Sequence, residues 1–340
     1  MFYGNEHTVL EYIWIGGNGE IRSKTRVLYN NCENIDIPIW NYDGSSTEQA
    51  DSNKNTEVIL KPCKKFINPL VNNNNNNNTH YLILCDTYDT DLNPLPTNHR
   101  HSAVKIFDQK LNLEPWFGLE QEYFMIHKSE SYVDVCQQDG RYYCGTQINN
   151  IERKIVEEHL QACLTAKITM SGLNAEVAPN QWEFQVGPCT GIDAGDELII
   201  ARFLLERIAE KYDVKINYIP KLRNDINGSG CHTNFSTSLT RCENGIIEIY
   251  NCMSKLENKH NEHIHVYGKD NEMRLTGVHE TSSIRNFSFG VGTRNTSVRI
   301  PNQVVKDGCG YFEDRRPAAN IDPYRVTSII FKTCFLDEVL

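Results

Sequence analysis

Residues 115–125 read Pro-Trp-Phe-Gly-Leu-Glu-Gln-Glu-Tyr-Phe-Met, and the rest of the chain is organised around that stretch. It is aromatic and apolar with a polar pair set into it, the composition of a strand. Side chains alternate faces along a strand, so Glu120 and Glu122 point the same way. Two carboxylates on one face of a largely buried strand are costly unless something cationic compensates them. Alone, the pair fits two readings equally: solvated acids on an edge strand, or a metal or acid–base site.

Upstream, residues 8–15 and 21–28 read as strands joined by the turn Gly16-Gly17-Asn18-Gly19. Residues 39–47 are a strand end running into a polar loop, and 58–60 and 81–86 are short strands. Between the last two lies an asparagine run, 72–78, expected to be a disordered insertion. Pro94 and Pro96 mark a boundary, so 1–93 is expected to be a small β-rich domain and 94–340 a larger one. Downstream, Thr97 is the expected cap of a helix carrying Ala103, Val104, Phe107 and Leu111. Residues 149–167 predict a helix with Ile151, Ile155, Leu160 and Leu164 on its inner side. Residues 194–212 and 246–258 predict two more helices; 174–186, 216–219, 230–236 and 297–300 predict strands and loops. Interleaved helices and hairpin-like strands make the class α+β or mixed α/β.

Of 340 residues, 39% are hydrophobic and 23% charged, as in ordinary globular chains. The formal charge of −10, without a dense Lys/Arg run, argues against nucleic acid as a partner. No run has the apolar length of a membrane helix, and the first residues do not resemble a secretory signal, so a cytoplasmic location is expected. The 12 cysteines include no Cys-x-x-Cys pair and read as free thiols.

Further acids recur in strand-like settings. Glu176 and Glu183 flank an Ala-Pro-Asn-Gln break, and Glu183 sits between Trp182 and Phe184. His232 follows Asn227-Gly228-Ser229-Gly230, where glycines let backbone approach a ligand. Glu313 opens Glu-Asp-Arg-Arg, and Arg274, Arg285, Arg294 and Arg299 precede it. Each has a plain structural alternative: an acid paired with arginine, or a hydrogen-bonded histidine. Together, five glutamates and one histidine without cysteine ligands describe hard divalent sites, Mg²⁺ or Mn²⁺ rather than structural zinc. Clustered arginines beside such ions point to phosphoryl transfer. No P-loop or strand-borne Gly-x-Gly-x-x-Gly is present. His260, His263 and His265 follow a helix and read as solvated or dipole-capping groups.

Six motifs carry a resemblance to glutamine synthetase of the eukaryotic type over nearly the whole chain. They are Trp40-Asn41-Tyr42-Asp43-Gly44-Ser45-Ser46-Thr47, Gly118-Leu119-Glu120-Gln121-Glu122-Tyr123, residues 174–187, residues 227–236, Arg274-Leu275-Thr276-Gly277 with His279-Glu280-Thr281-Ser282, and residues 311–320. The resemblance implies an N-terminal β-grasp domain and a catalytic domain with a curved antiparallel sheet flanked by helices. It implies ATP-dependent ligation of ammonium to L-glutamate through γ-glutamyl phosphate. Glu122, Glu176 and Glu183 would hold one Mg²⁺ or Mn²⁺; Glu120, His232 and Glu313 would hold the other. Asn227, Gly228, Arg274, Arg294 and Arg315 would bind glutamate. Glu120, Glu183, Phe184, Gln185, Val186, Gly187, Pro188, Asn234, Phe235, Ser236, Arg294, Arg299, Tyr311, Phe312 and Glu313 would line ATP.

By the same resemblance, Asp43 would come from a neighbouring subunit and take the proton from ammonium, Glu280 would ride on a closing flap, and Arg294 and Arg315 would assist catalysis. The implied assembly is a homodecamer of two pentameric rings. Against the family pattern, Asn224-Asp225-Ile226 precedes Asn227 where tryptophan is usual, and Asn286 stands where aspartate is usual. Competing readings are γ-glutamylation of an organic amine, a non-catalytic protein on the same scaffold, and a guanidino kinase. The retained acids and Asp43 favour ammonium ligation.

Overall fold

The computed structural model describes residues 7–29, 36–71, 79–127, 141–146 and 150–337. The asparagine run 72–78, and Asn149 at the start of an expected helix, lie outside the described residues.

The first sheet is made from β1 (Thr8–Ile15), β2 (Ile21–Leu28), β3 (Trp40–Asp43), β4 (Glu57–Ile67) and β5 (Thr79–Tyr88), in the order β2-β1-β5-β4-β3. β1 and β5 run parallel; the other pairs are antiparallel. One face buries Leu10, Tyr12, Trp14, Val58, Leu60 and Ile83 as a small core of its own. β4 and β5 are longer than the expected segments 58–60 and 81–86, because a bulge between Pro62 and Lys64 lets pairing continue past the proline.

The second sheet holds β6 (Trp116–His127), β7 (Met170–Ala175), β8 (Gln181–Thr190), β9 (Val214–Asn217), β10 (Cys231–Ser236), β11 (Phe289–Val291), β12 (Val298–Ile300) and β13 (Phe312–Asp314). Its order is β11-β12-β13-β10-β6-β8-β7, with β9 extending the β10 side of β6. All its pairs are antiparallel except β11 with β12. The long central strand β6 therefore has β8 along one side and β10, then β9, along the other. Phe117, Leu119, Tyr123 and Met125 point into the main core, which shows that β6 is not a solvated edge.

Helices cover the core side. They are α1 (His99–Phe107), α2 (Asn150–Thr165), α3 (Ile192–Glu210), α4 (Ser238–Arg241), α5 (Ile246–Asn258), α6 (His260–Ile264), α7 (Asn302–Asp307) and α8 (Pro323–Phe331). α3 is buried nearly all round and runs against β6, β8 and α8.

Several expectations are corrected. Asn98, not Thr97, caps α1: its side chain accepts from the His101 N–H at 3.2 Å while its amide donates to the Thr87 carbonyl at 3.0 Å. Thr97 instead accepts from Gln49 at 3.0 Å. Leu111 lies beyond α1 in a short 3₁₀ turn and is exposed. In α2 the inner face is Ile155, Val156, His159, Ala162 and Cys163, whereas Ile151 and Leu164 are exposed. His260 and His263 are buried rather than solvated. His260 bonds the Ile284 carbonyl and Arg316, and His263 bonds Tyr267 and Thr333. Both ring nitrogens of each are thus engaged within the fold; His265 is exposed.

The first sheet is tied to helices α1, α3 and α8 by a buried polar knot. Arg100 of α1 makes a two-pronged bond to Asp196 of α3 at 2.8 and 2.9 Å and lies 3.5 Å from Asp86 of β5. The Tyr324 hydroxyl of α8 donates to the same Asp196 at 2.9 Å. Removing one member of such a knot strands the others. Asp196→Ala is expected to cost about 3–5 kcal/mol in denaturant unfolding; a loss below about 1 kcal/mol, the value of an exposed pair, would show the knot is not a structural tie.

Candidate active site

Strand register writes the site across five neighbouring strands. His232 of β10 stands opposite Glu120 of β6, and Glu183 of β8 stands opposite Glu122. Asn234 of β10 faces Glu313 of β13, which faces Arg299 of β12. Alternation on β6 sends Glu120 and Glu122 to one side while Gln121 lies beneath, bonded to Arg202 of α3 at 2.8 Å.

The carboxylates are crowded, with Glu122, Glu183 and Glu313 buried and Glu120 and Glu176 half-buried. Glu120 accepts from Asn234 at 2.8 Å and lies 3.4 Å from His232 Nδ1. His232 Nδ1 is also 3.5 Å from Glu313. Glu313 accepts from Arg315 at 2.7 Å, and Arg299 pairs with its second oxygen. That oxygen, Oε2, is buried and accepts no aligned hydrogen bond. Glu122 accepts the Gly230 N–H at 2.7 Å, Glu183 accepts from Gln185 at 2.7 Å, and Glu176 accepts from Asn174 at 2.9 Å.

Burial, then the charge of Glu176, pushes the Glu122 carboxyl up to about 8. Burial, then Glu120 and Glu122, pushes Glu183 up to about 9. Burial also raises Glu176. His232 is held well below the usual imidazole range by burial and by Arg315. Burial lowers the Arg274 guanidinium to about 10. A neutral imidazole among acids that resist ionising is a basin short of positive charge.

The donor set fits a hard divalent cation. Ligand atoms of Glu120, His232 and Glu313 all lie within 4.8 Å of one another, and among the described residues only this group closes to that spacing. Glu313 Oε2, ion-paired with Arg299 but accepting no aligned hydrogen bond, is a further oxygen that an ion would satisfy. The second expected set, Glu122, Glu176 and Glu183, lies close enough for like charges to raise one another's carboxyls, but it does not close to that spacing.

Arginines approach from the loops. Arg274 is buried and donates to the Arg315 carbonyl and to His232 Nε2, each at 3.0 Å. A side chain at Gly230 would collide with that guanidinium, and one at Gly228 with the Pro220 carbonyl, so close approach requires glycine at both. The Gly228 carbonyl accepts from Gln181 at 3.0 Å. Asn227, just before it, adjoins the buried Ile226, which packs with Phe124 and Ala178. Arg315 donates to the Arg294 carbonyl at 3.2 Å, and Arg294 pairs with Glu280 at 3.0 Å. Glu280 has a left-handed backbone, φ 63°, and an exposed side chain.

A cavity of about 420 Å³ adjoins the basin. Glu120, Gln185, Gly187, Pro188, Asn234, Phe235, Ser236, Arg299 and Tyr311 line it, all expected nucleotide contacts. Phe184, Val186 and Phe312 instead have side chains in the hydrophobic core, on the opposite face of their strands. The sequence reading missed Trp116 and Arg241, whose guanidinium lies 3.8 Å from the Trp116 ring centre at the cavity wall. An exposed tryptophan at the start of an otherwise alternating strand was the available signal. Asp43 is apart from all this. It is exposed, caps a 3₁₀ turn, and accepts from the Ser45 N–H and hydroxyl at 3.0 and 2.7 Å, which lowers its carboxyl.

Comparison with known proteins agrees with these features. A family model described as glutamine synthetase, catalytic domain, matches residues 98–260. A protein of Acanthamoeba polyphaga mimivirus is 55% identical over 96% of this chain and 94% of its own. The glutamine synthetases of Agaricus bisporus and Saccharomyces cerevisiae are 48% and 47% identical over 96% of this chain, covering 93% and 88% of theirs. A solved structure titled "GmaS/ADP complex-Conformation 1" is similar in fold, with a TM-score of 0.77 at 15% identity over 96% of this chain and 77% of that one.

The basin dictates a pH response. Glutamates that titrate near 4.5 when free titrate near 8 and 9 here, so the metal-free fold binds their protons more tightly than the unfolded chain. Their contribution is full below about pH 4.5 and is lost as pH rises through 8 to 9. The melting temperature of metal-free protein is expected to fall from pH 6 to 9. Glu183→Gln should flatten that fall, and added Mg²⁺ should reverse it most at pH 9. A wild-type profile that rises across this range would contradict the assignment.

Proposed function

The chain belongs to the glutamine synthetase family, and from that premise we propose how its cleft performs the reaction. The activity is ATP-dependent ligation of ammonium to L-glutamate, giving L-glutamine, ADP and phosphate through γ-glutamyl phosphate. Family membership entails ATP and a divalent metal. The observation that carries the placement is that Glu120 and Arg299 border both the carboxylate basin and the 420 Å³ cavity.

In our reading the cavity takes ATP with its phosphates toward the basin. Glu120, His232 and Glu313 would hold one Mg²⁺ or Mn²⁺, and Glu122, Glu176 and Glu183 the other. When bound, the ions neutralise charge on the triphosphate. Arg299 and Arg294 face the transferred phosphoryl group, where fixed positive charge counts most. Arg274 and Arg315, with the backbone at Asn227 and Gly228, orient glutamate so that its γ-carboxylate meets the phosphate. The carboxylate's oxygen is a poor leaving group until phosphorylated. Ammonium must lose a proton before it can attack, and Asp43 accepts it; its lowered carboxyl keeps it ionised. Glu280, latched to Arg294, closes over the acyl phosphate and excludes water.

Because Asp43 is exposed and its recorded contacts, Ser45 and Thr56, both lie in its own small sheet and turn, we assign its role to an adjoining copy, in a homodecamer of two pentameric rings. We further assign residues 1–93 and 94–340 as β-grasp and catalytic domains, and the cytoplasm as the location. Among the described residues no helix is long and apolar enough to cross a membrane.

Two variants test the reading together. Glu313→Ala should lower glutamine synthesis at least ~100-fold and remove one Mn²⁺ from calorimetric titration. Asp43→Asn should also be nearly inactive. Mixed rings reassembled from equal amounts of both should regain roughly one quarter of wild-type activity, since that share of sites pairs two intact halves. No recovery in rings of confirmed mixed composition would place Asp43 within its own chain's site. Full activity in Glu313→Ala would end the metal assignment.

A further inference from the structure

A second cavity, of about 310 Å³, lies between the first sheet and helices α1, α3 and α8, on the far side of β6 from the carboxylate basin. The β1–β2 turn forms one wall. His99, Arg202, His265, Lys269, Asp322 and Arg325 supply its charged and titratable lining. Three permanent cations and two imidazoles thus accompany one carboxylate, in a chain whose formal charge is −10.

That carboxylate is already engaged. Asp322 bonds His99 at 2.6 Å and caps α8, accepting from the N–H groups of Tyr324 and Arg325 at 2.9 and 3.3 Å. Arg202 is only 7% exposed, and its hydrogen bonds all end on neutral oxygens: Gln121 Oε1 and the carbonyls of Ile321 and Ala319. Glu206, one turn further along α3, offsets this charge incompletely, because burial pushes its own carboxyl up to about 7. Lys269 and Arg325 are exposed and make no ion pair among the described residues. His265 bonds the Asn261 carbonyl through Nδ1, leaving Nε2 toward solvent or ligand.

Guanidinium and ammonium groups around a concave site match a doubly charged oxyanion better than a single carboxylate. The volume is at the small end of ligand pockets, about 300–1,000 Å³. We propose that this cavity binds a phosphoryl dianion, either free phosphate or the phosphate of a small metabolite, at a site separate from the ATP cleft. Arg202 belongs to the cavity and also grips Gln121, so the site shares a wall with the strand bearing Glu120 and Glu122.

The test is calorimetric titration of the full chain with inorganic phosphate, with Mg²⁺ and ATP saturating the cleft. Wild type should show one remaining phosphate site. Lys269→Gln/Arg325→Gln should weaken it at least tenfold while glutamine synthesis without added phosphate stays unchanged, which also shows that the variant folds. Repeating the titration with a three- to six-carbon sugar phosphate separates the sources: tighter binding of the ester assigns a metabolite, tighter binding of phosphate assigns the ion. Equal phosphate binding by wild type and variant, or none in wild type below about 10 mM (a free energy under roughly 3 kcal/mol), would overturn the proposal.

Discussion

The controlling constraint is repulsion among buried carboxylates. Cross-strand pairing places Glu122 directly opposite Glu183, where opposed like charges destabilise a sheet. Glu120, Glu176 and Glu313 crowd the same basin. Such an arrangement persists because cations are delivered to it from specific places. Arg299 comes across the register from β12, Arg315 from the end of β13, and Arg274 from a loop behind the glycines. A short, interrupted edge of the sheet therefore serves the chemistry better than a long regular one: β12 and β13 are three residues each, and arginine-bearing loops start as soon as they end.

Strand alternation then splits each charged run between chemistry and scaffold. In Glu313-Asp314-Arg315-Arg316, the first and third residues meet each other in the basin. The second and fourth pair behind the sheet, fully buried, with Tyr267 and His260 completing the network. A buried ion pair such as Arg316–Asp314 adds little net stability over apolar packing, but it tolerates few alternative arrangements. Its effect is to fix which way the strand faces, and so to keep Glu313 and Arg315 forward. Gln121 and Arg202 do the same for β6, between its two forward-facing glutamates.

Much of this was legible because periodicity and chemistry agreed. The 115–125 strand, the strand–turn–strand around Glu176 and Glu183, and the 246–258 helix rest on local patterns. The misses have long-range causes. His260 and His263 looked like solvent-facing groups after a helix; they are inside because α6 turns the chain back beneath Arg316. The face of α2 was misjudged because Ile151 and Leu164 are exposed apolar residues, while the inner face includes the polar His159. Phe184, Val186 and Phe312 sit inside two stretches expected to line a nucleotide, yet parity sends their side chains to the core. α8 was overlooked although Asp322-Pro323 is a helix-start signal, its aspartate capping the first turn.

The rigidity of the sheet junction bears on where Asp43 can act. Arg100, Asp196, Asp86 and Tyr324 lock the first sheet to α1, α3 and α8, and Arg207 adds a bond from α3 to Glu11 of β1 at 2.8 Å. A small sheet held at several points cannot swing as a lid over its own chain's cleft. Asp43 stands at the end of β3, the edge strand of that sheet farthest from β2, presenting an ionised carboxylate to solvent. An exposed acid on a fixed edge has no route into the basin behind it, but it is well placed to be offered outward. That rigidity, rather than any flexibility of the chain, is what supports the proposed sharing of sites between copies.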